Sequence, residues 1–125
     1  MDSRTDDIIS RFRASWEQTE NWFVRFAAQQ EALNPLLDLI RQLKSKGMNE
    51  YFRIGSSMYT LLISRSMEYG LRPDQKAVWV RLSEEGGFEV TLKDQFKKYG
   101  TYRVRDLNDP EVIGLLRTLQ DTQVD

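Results

Sequence analysis

The chain has 125 residues, 40% hydrophobic and 30% charged, with 18 Lys and Arg against 19 Asp and Glu. That length suits a single domain, 1–125, with a core of its own, and a net charge of −1 provides no overall field to collect nucleic acid or membrane. Cysteine and histidine do not occur, which excludes disulfides, thiolate nucleophiles, cysteine zinc sites and the commonest general base.

The opening residues, Met1 to Asp7, are polar and acidic, unlike a signal or transit peptide. No run of about 18 apolar residues occurs, so no membrane-spanning helix is expected and the expected address is cytoplasmic. Thr5 suits a helix cap, with Asp6 and Asp7 in the first turn where negative charge favours the helix dipole. Ile9, Phe12, Trp16, Phe23, Phe26 and Ala27 then recur at helical spacing on a stripe about 100° wide. Ile8 and Trp22 widen that stripe on one side. The spacing predicts a helix from Asp6 to Leu33. Asn34 suits the cap of a second helix, with Pro35 as its first residue. This helix, Pro35 to Lys46, carries Leu36, Leu37, Leu39, Ile40 and Leu43, and Gly47 suits its C-terminal stop.

Tyr51–Ile54 and Met58–Ser64 read as strands, rich in aromatic and β-branched residues. Gly55-Ser56-Ser57 between them is expected to be a tight turn or a bulge. Gly70–Asp74 is punctuated as a loop. Ala77–Leu82 and Phe88–Lys93 alternate with period two and read as a hairpin closed by Glu84-Glu85-Gly86-Gly87. The expected register sets Leu82 opposite Phe88, Val80 opposite Val90 and Val78 opposite Leu92, with Arg81 facing Glu89. Asp94–Tyr99 reads as one helical turn stopped by Gly100, and Tyr102–Arg105 as a last strand. Asp109-Pro110-Glu111 signals a closing helix that carries Val112, Ile113, Leu115, Leu116 and Leu119. Gln120–Asp125 is polar and expected to fray. The whole predicts an α+β fold: an antiparallel meander of four or five strands with N-terminal helices and a C-terminal helix packed on one face.

The chemistry-bearing patterns are few. Glu84 and Glu85 are a solvated turn. Asp106, Asn108, Asp109 and Glu111 lack the glycine and distal glutamate of a calcium loop, so no metal is expected. Gly55-Ser56-Ser57 is not a nucleophile elbow, and Gly86-Gly87 opens no helix and so cradles no phosphate. No cofactor is expected. The strongest polar signal is a face on which alternation gathers Trp79, Arg81, Lys93, Arg103 and Arg105. Such a face could stack a base or hold an anion. Glu89 on the same face and the balanced charge of the chain weigh against nucleic acid. Ile8, Trp22 and Trp79 are the candidate interface residues, because aromatics at the margin of an apolar stripe suit a contact surface. The reading these features favour is a non-enzymatic interaction, regulatory or accessory domain of bacterial type, acting through protein contacts as a homodimer. The alternative is a nucleic-acid or anionic-ligand binder on the Trp79–Arg105 face. The third is an enzyme or small-molecule pocket built on carboxylate, Lys and Tyr.

Overall fold

A computed structural model describes residues 3–57, 60–65, 76–83, 87–94, 97–105 and 110–120. In chain order these form α1 (Ser3–Ala27), a 3₁₀ turn (Glu31–Leu33), α2 (Asn34–Ser45), a second 3₁₀ turn (Met48–Glu50), β1 (Arg53–Ser57), β2 (Thr60–Ser64), β3 (Ala77–Leu82), β4 (Phe88–Asp94), β5 (Lys97–Val104) and α3 (Pro110–Gln120). The five strands make one antiparallel sheet in the order β1-β2-β3-β4-β5, a meander as expected. No described helix is long and apolar enough to cross a membrane.

The hairpin register is the one that alternation predicts: Leu82 pairs with Phe88, Val80 with Val90, Val78 with Leu92 and Arg81 with Glu89. Gly87 takes a φ of +76°, and Ser83 N–H donates to its carbonyl at 3.0 Å. Period-two alternation then divides the sheet. Ile54, Leu61, Ile63, Val78, Val80, Phe88, Val90, Leu92 and Val104 face one way and share a single core with Trp16, Phe23, Leu36, Ile40, Val112 and Leu119 from the three helices. Leu62, Ala77, Trp79, Arg81, Glu89, Thr91, Lys93 and Arg103 face the other way.

Six local readings are corrected. Helical backbone already begins at Ser3, so Thr5 lies inside the first turn of α1 and does not cap it. The first helix stops at Ala27 and not at Leu33, because the buried stripe ends there and Ala28–Ala32 are exposed; Gln30 is extended, with φ −135° and ψ 96°. Asn34 is therefore not the N-cap of α2: it takes helical angles of φ −55° and ψ −39°, closes the 3₁₀ turn by donating its N–H to the Glu31 carbonyl, and opens α2, with buried Leu33 before it. Gly55-Ser56-Ser57 is neither turn nor bulge but regular strand, paired to Leu62, Leu61 and Thr60. The first strand starts at Arg53, because Tyr51 and Phe52 N–H both bond back to Met48 carbonyl at 3.1 Å. Asp94–Tyr99 is not a helical turn either. Asp94 pairs with Lys97, and β5 starts there, five residues before the expected strand, with an irregularity between Thr91 and Lys93. β-Branched Thr101 and aromatic Tyr102 gain more from pairing with β4 than from an isolated helical turn.

Gly47, with φ +80°, follows α2 as expected. The expected loop at Gly70–Asp74, the turn residues Glu84–Gly86, the acidic run Asp106–Asp109 and the tail beyond Gln120 lie outside the described residues.

Candidate functional site

Trp79, Arg81, Lys93 and Arg103 do share one sheet face, the one turned away from the helical core. Trp79 and Lys93 contact each other, and Arg81 and Arg103 both face Glu89. Lys93 Nζ sits 3.4 Å from the centroid of the Trp79 ring, a cation–π contact that covers the indole. Trp79 Nε1 is buried with no hydrogen-bond partner among the described residues. Arg81 Nε and Nη2 both bond one oxygen of Glu89, at 2.7 and 2.6 Å. Arg103 Nε stands 3.9 Å from the other Glu89 oxygen. The described cations are thus Arg81, Lys93 and Arg103 against Glu89. Glu89 sits between the two arginines, and Lys93 lies on the ring that a base would stack against. Thr91 and Thr101 hydroxyls meet at 2.9 Å on the same face.

Arg105 does not join this group. It follows the end of β5 and helps line a depression of about 190 Å³ with Asp38, Gln42 and Phe88, on the α2 side.

The three expected interface residues are separated. Ile8 and Trp22 lie on α1, fourteen residues and so about 21 Å apart. Trp22 is packed against the core, its ring 4.8 Å from Phe23 and 4.2 Å from Phe26. Ile8 is partly buried. Trp79 lies on the other face of the sheet, so the three form no common patch.

A wider depression of about 570 Å³ runs beside α1 and is lined by Asp6, Ser10, Arg13, Glu17 and Glu50. Arg13 pairs with Glu50 across it. Among the described residues no group of three or more His, Cys, Asp or Glu could hold a metal ion.

The arrangement that sequence reasoning missed is at the edges of the sheet. β1 and β5 are its outer strands. In β1, the pairing turns the N–H and C=O of Ile54 away from β2. Both are taken by α1: Ile54 N–H donates to Ser15 Oγ at 3.1 Å, and Thr19 Oγ1 donates to Ile54 carbonyl at 3.4 Å. Just before the strand, Trp16 Nε1–H donates to Phe52 carbonyl at 2.7 Å. Ser15, Trp16 and Thr19 are all buried. A helix therefore closes this edge with side-chain hydrogen bonds. The signal for it was present: Ser15 and Thr19 are hydroxyls four apart on an otherwise apolar stripe, where a polar group needs a partner.

β5 is treated differently. The Ser83–Gly87 bond sets the alternation of the ladder, so Val90 and Phe88 direct their backbone to Tyr102 and Val104. Thr101 then points its N–H and C=O outward, and no hydrogen bond to its backbone occurs among the described residues.

Compared with protein-family models, curated proteins and solved structures, the chain matches none.

Proposed function

We propose that this chain is a non-catalytic protein-contact domain that takes up an extended segment of another polypeptide along the outer edge of β5. The observation that carries this reading is the unequal treatment of the two sheet edges. Three side chains of α1 occupy the backbone at the β1 edge, whereas Thr101 at the β5 edge presents both backbone groups outward. Strand addition uses such an edge: main-chain hydrogen bonds hold the incoming segment, and alternate side chains select it. The edge of β5 is favoured over the α1 stripe as the contact surface because Trp22 is already packed on Phe23 and Phe26.

The test is selection of binding peptides from a displayed library, followed by backbone amide shifts on the labelled protein. Shifts concentrated on Thr101–Val104 and their β4 neighbours are expected. Thr101→Pro, which removes an outward N–H without touching the β4 ladder, should abolish them while the circular dichroism spectrum is kept. Shifts confined to α1 or to the Trp79 face would overturn the reading. Tight, salt-sensitive binding of single-stranded DNA or RNA, lost on changing Arg81 and Arg103, would replace it with the nucleic-acid alternative.

A further inference from the structure

We infer that the segment taken up at the β5 edge is β5 of a second copy of this chain, joined about a twofold axis at Tyr102, a step that rests on the edge reading above. The regular part of β5 is short. Thr101 to Val104 pairs evenly with β4, and the register shifts between the Thr101 pair and the Lys98 pair. A flexible peptide laid on so short an edge gains few main-chain bonds and loses backbone entropy at every residue it orders. A second copy brings a strand that its own β4 already holds in place, so little ordering remains to be done on contact. An edge that meets itself antiparallel also closes the assembly at two chains.

Alternation and charge select the register. The ladder that turns the Thr101 main chain outward turns that of Arg103 outward as well. Outward residues pair with outward residues, so a twofold pairing of this stretch centres on Thr101, Tyr102 or Arg103. Centring on Arg103 sets it opposite itself, and like charges set opposite are destabilising. Centring on Thr101 carries Arg103 opposite Tyr99, into the stretch where the ladder shifts. Centring on Tyr102 avoids both. Thr101 then lies opposite Arg103 of the second copy, twice across the axis. Each Thr101 N–H meets an Arg103 carbonyl, whose two lone pairs leave room for a further bond, and each Thr101 carbonyl faces an Arg103 N–H. Only main chain enters this pairing, so Arg103 keeps its side chain 3.9 Å from Glu89. Tyr102 meets Tyr102 of the second copy in the closer, non-hydrogen-bonded kind of pair, where two aromatic rings are favourable. In the single chain it is only partly buried, packed on the core from one side. The described helices lie toward the rest of the sheet: α1 contacts β1, and α2 and α3 contact β3. The result is one antiparallel sheet continuous across two chains.

The experiment is sedimentation of the full chain as a function of concentration. The average mass should rise from one chain toward two between about 1 μM and about 1 mM, the range of a small contact, and exchange of the Thr101 amide should slow as it does. Thr101→Pro removes the outward N–H and should leave a monomer. Two further variants read the register at this exposed side chain. Thr101→Glu sets a carboxylate opposite Arg103 twice and should tighten the dimer at least about threefold at low salt. Thr101→Lys sets an ammonium there and should loosen it at least about threefold, both effects shrinking as salt screens them. Both variants lose the same bond to Thr91, so that loss cancels between them. If the wild type stays monomeric to about 1 mM while selected peptides shift the β5 amides, the edge reading stands and a second copy is not its occupant. If no dimer forms and no peptide shifts β5, the edge reading falls, and the inference with it. A dimer that survives Thr101→Pro joins through another face and overturns the inference. If Thr101→Glu and Thr101→Lys move the dissociation constant in the same direction, Thr101 does not lie opposite Arg103, and the twofold at Tyr102 is wrong.

Discussion

Ser15 Oγ donates to the Phe12 carbonyl at 2.6 Å and accepts from Ile54 N–H at 3.1 Å, so one hydroxyl serves both its own helix and the sheet edge. Replacing it with alanine leaves the Ile54 N–H buried without an acceptor, which costs about 1–3 kcal/mol. Ser15→Ala should lower the urea midpoint accordingly, whereas Ser10→Ala, on the exposed side of α1, should cost less than about 0.5 kcal/mol. Equal midpoints for the two variants would mean that α1 does not hold the edge. Gly87 is a second position where a single atom decides. At φ +76° a side chain is already strained, and a Cβ built there would stand 2.5 Å from the Val104 carbonyl oxygen, a backbone atom that cannot swing away. Gly87→Ala should therefore destabilise by more than about 1 kcal/mol. Gly47 has a similar φ of +80° but nothing within 4 Å of such a Cβ, so Gly47→Ala should bear only the conformational penalty and cost less than Gly87→Ala in the same denaturant melt.

Among the elements, the β3–β4 hairpin is the one whose side chains declare their faces most plainly. Val80 and Val90 are fully buried opposite each other, so truncating either to alanine should cost about 1–3 kcal/mol. Thr91 faces the other way and gives up only its contact with Thr101, so Thr91→Ala should cost less than about 1 kcal/mol. Similar losses at all three sites in urea melts would contradict the two-faced sheet. This hairpin was legible in the sequence because its pattern is local: residues two apart share a face, and the register follows from the loop. The stop of α1 was not legible. Asn34-Pro35 is a strong signal in isolation, but the helix ends where its buried stripe ends, at Ala27, and that depends on what α2 and the sheet leave uncovered. The Gly55–Ser57 segment shows the same limit, since glycine and serine look like a turn until Leu61 and Leu62 are known to pair with them. The edges were illegible for a related reason. Ser15 and Thr19 could be marked as hydroxyls needing partners, but nothing in α1 names Ile54 as that partner. Likewise Trp79 and Arg81 could be put on one face by alternation, but not the placement of Lys93 on the indole, and Arg105 could not be seen to fall beyond the strand end.

Across the whole molecule, one buried cluster contains residues of α1, α2, α3 and all five strands. No described element has a separate core. α1 is tied to β1 by hydrogen bonds from Ser15, Trp16 and Thr19, and to α2 by Glu20, which lies 3.8 Å from Arg41 and 3.4 Å from Lys44. The ion pairs are exposed on their basic side and so add little. The shared core and the buried hydrogen bonds dominate. Detaching α1 would expose Phe12, Trp16 and Phe23 and strand Ile54 N–H at once, so α1 has no cheap way to leave ahead of the sheet. Unfolding should therefore be a single transition. Trp16 and Trp22 report on α1, while far-UV circular dichroism reports on all helices and strands. Tryptophan fluorescence of the Trp79→Phe variant, in which only the two α1 indoles emit, should give the same urea midpoint and slope as circular dichroism on that variant. Salt should move that midpoint little, because screened surface pairs contribute little to it. A fluorescence midpoint well below the dichroism midpoint would mean that α1 unfolds first and that the β1 edge opens before the core is lost. The two edges of the sheet would then differ far less than the hydrogen bonds of Ser15 and Thr19 imply.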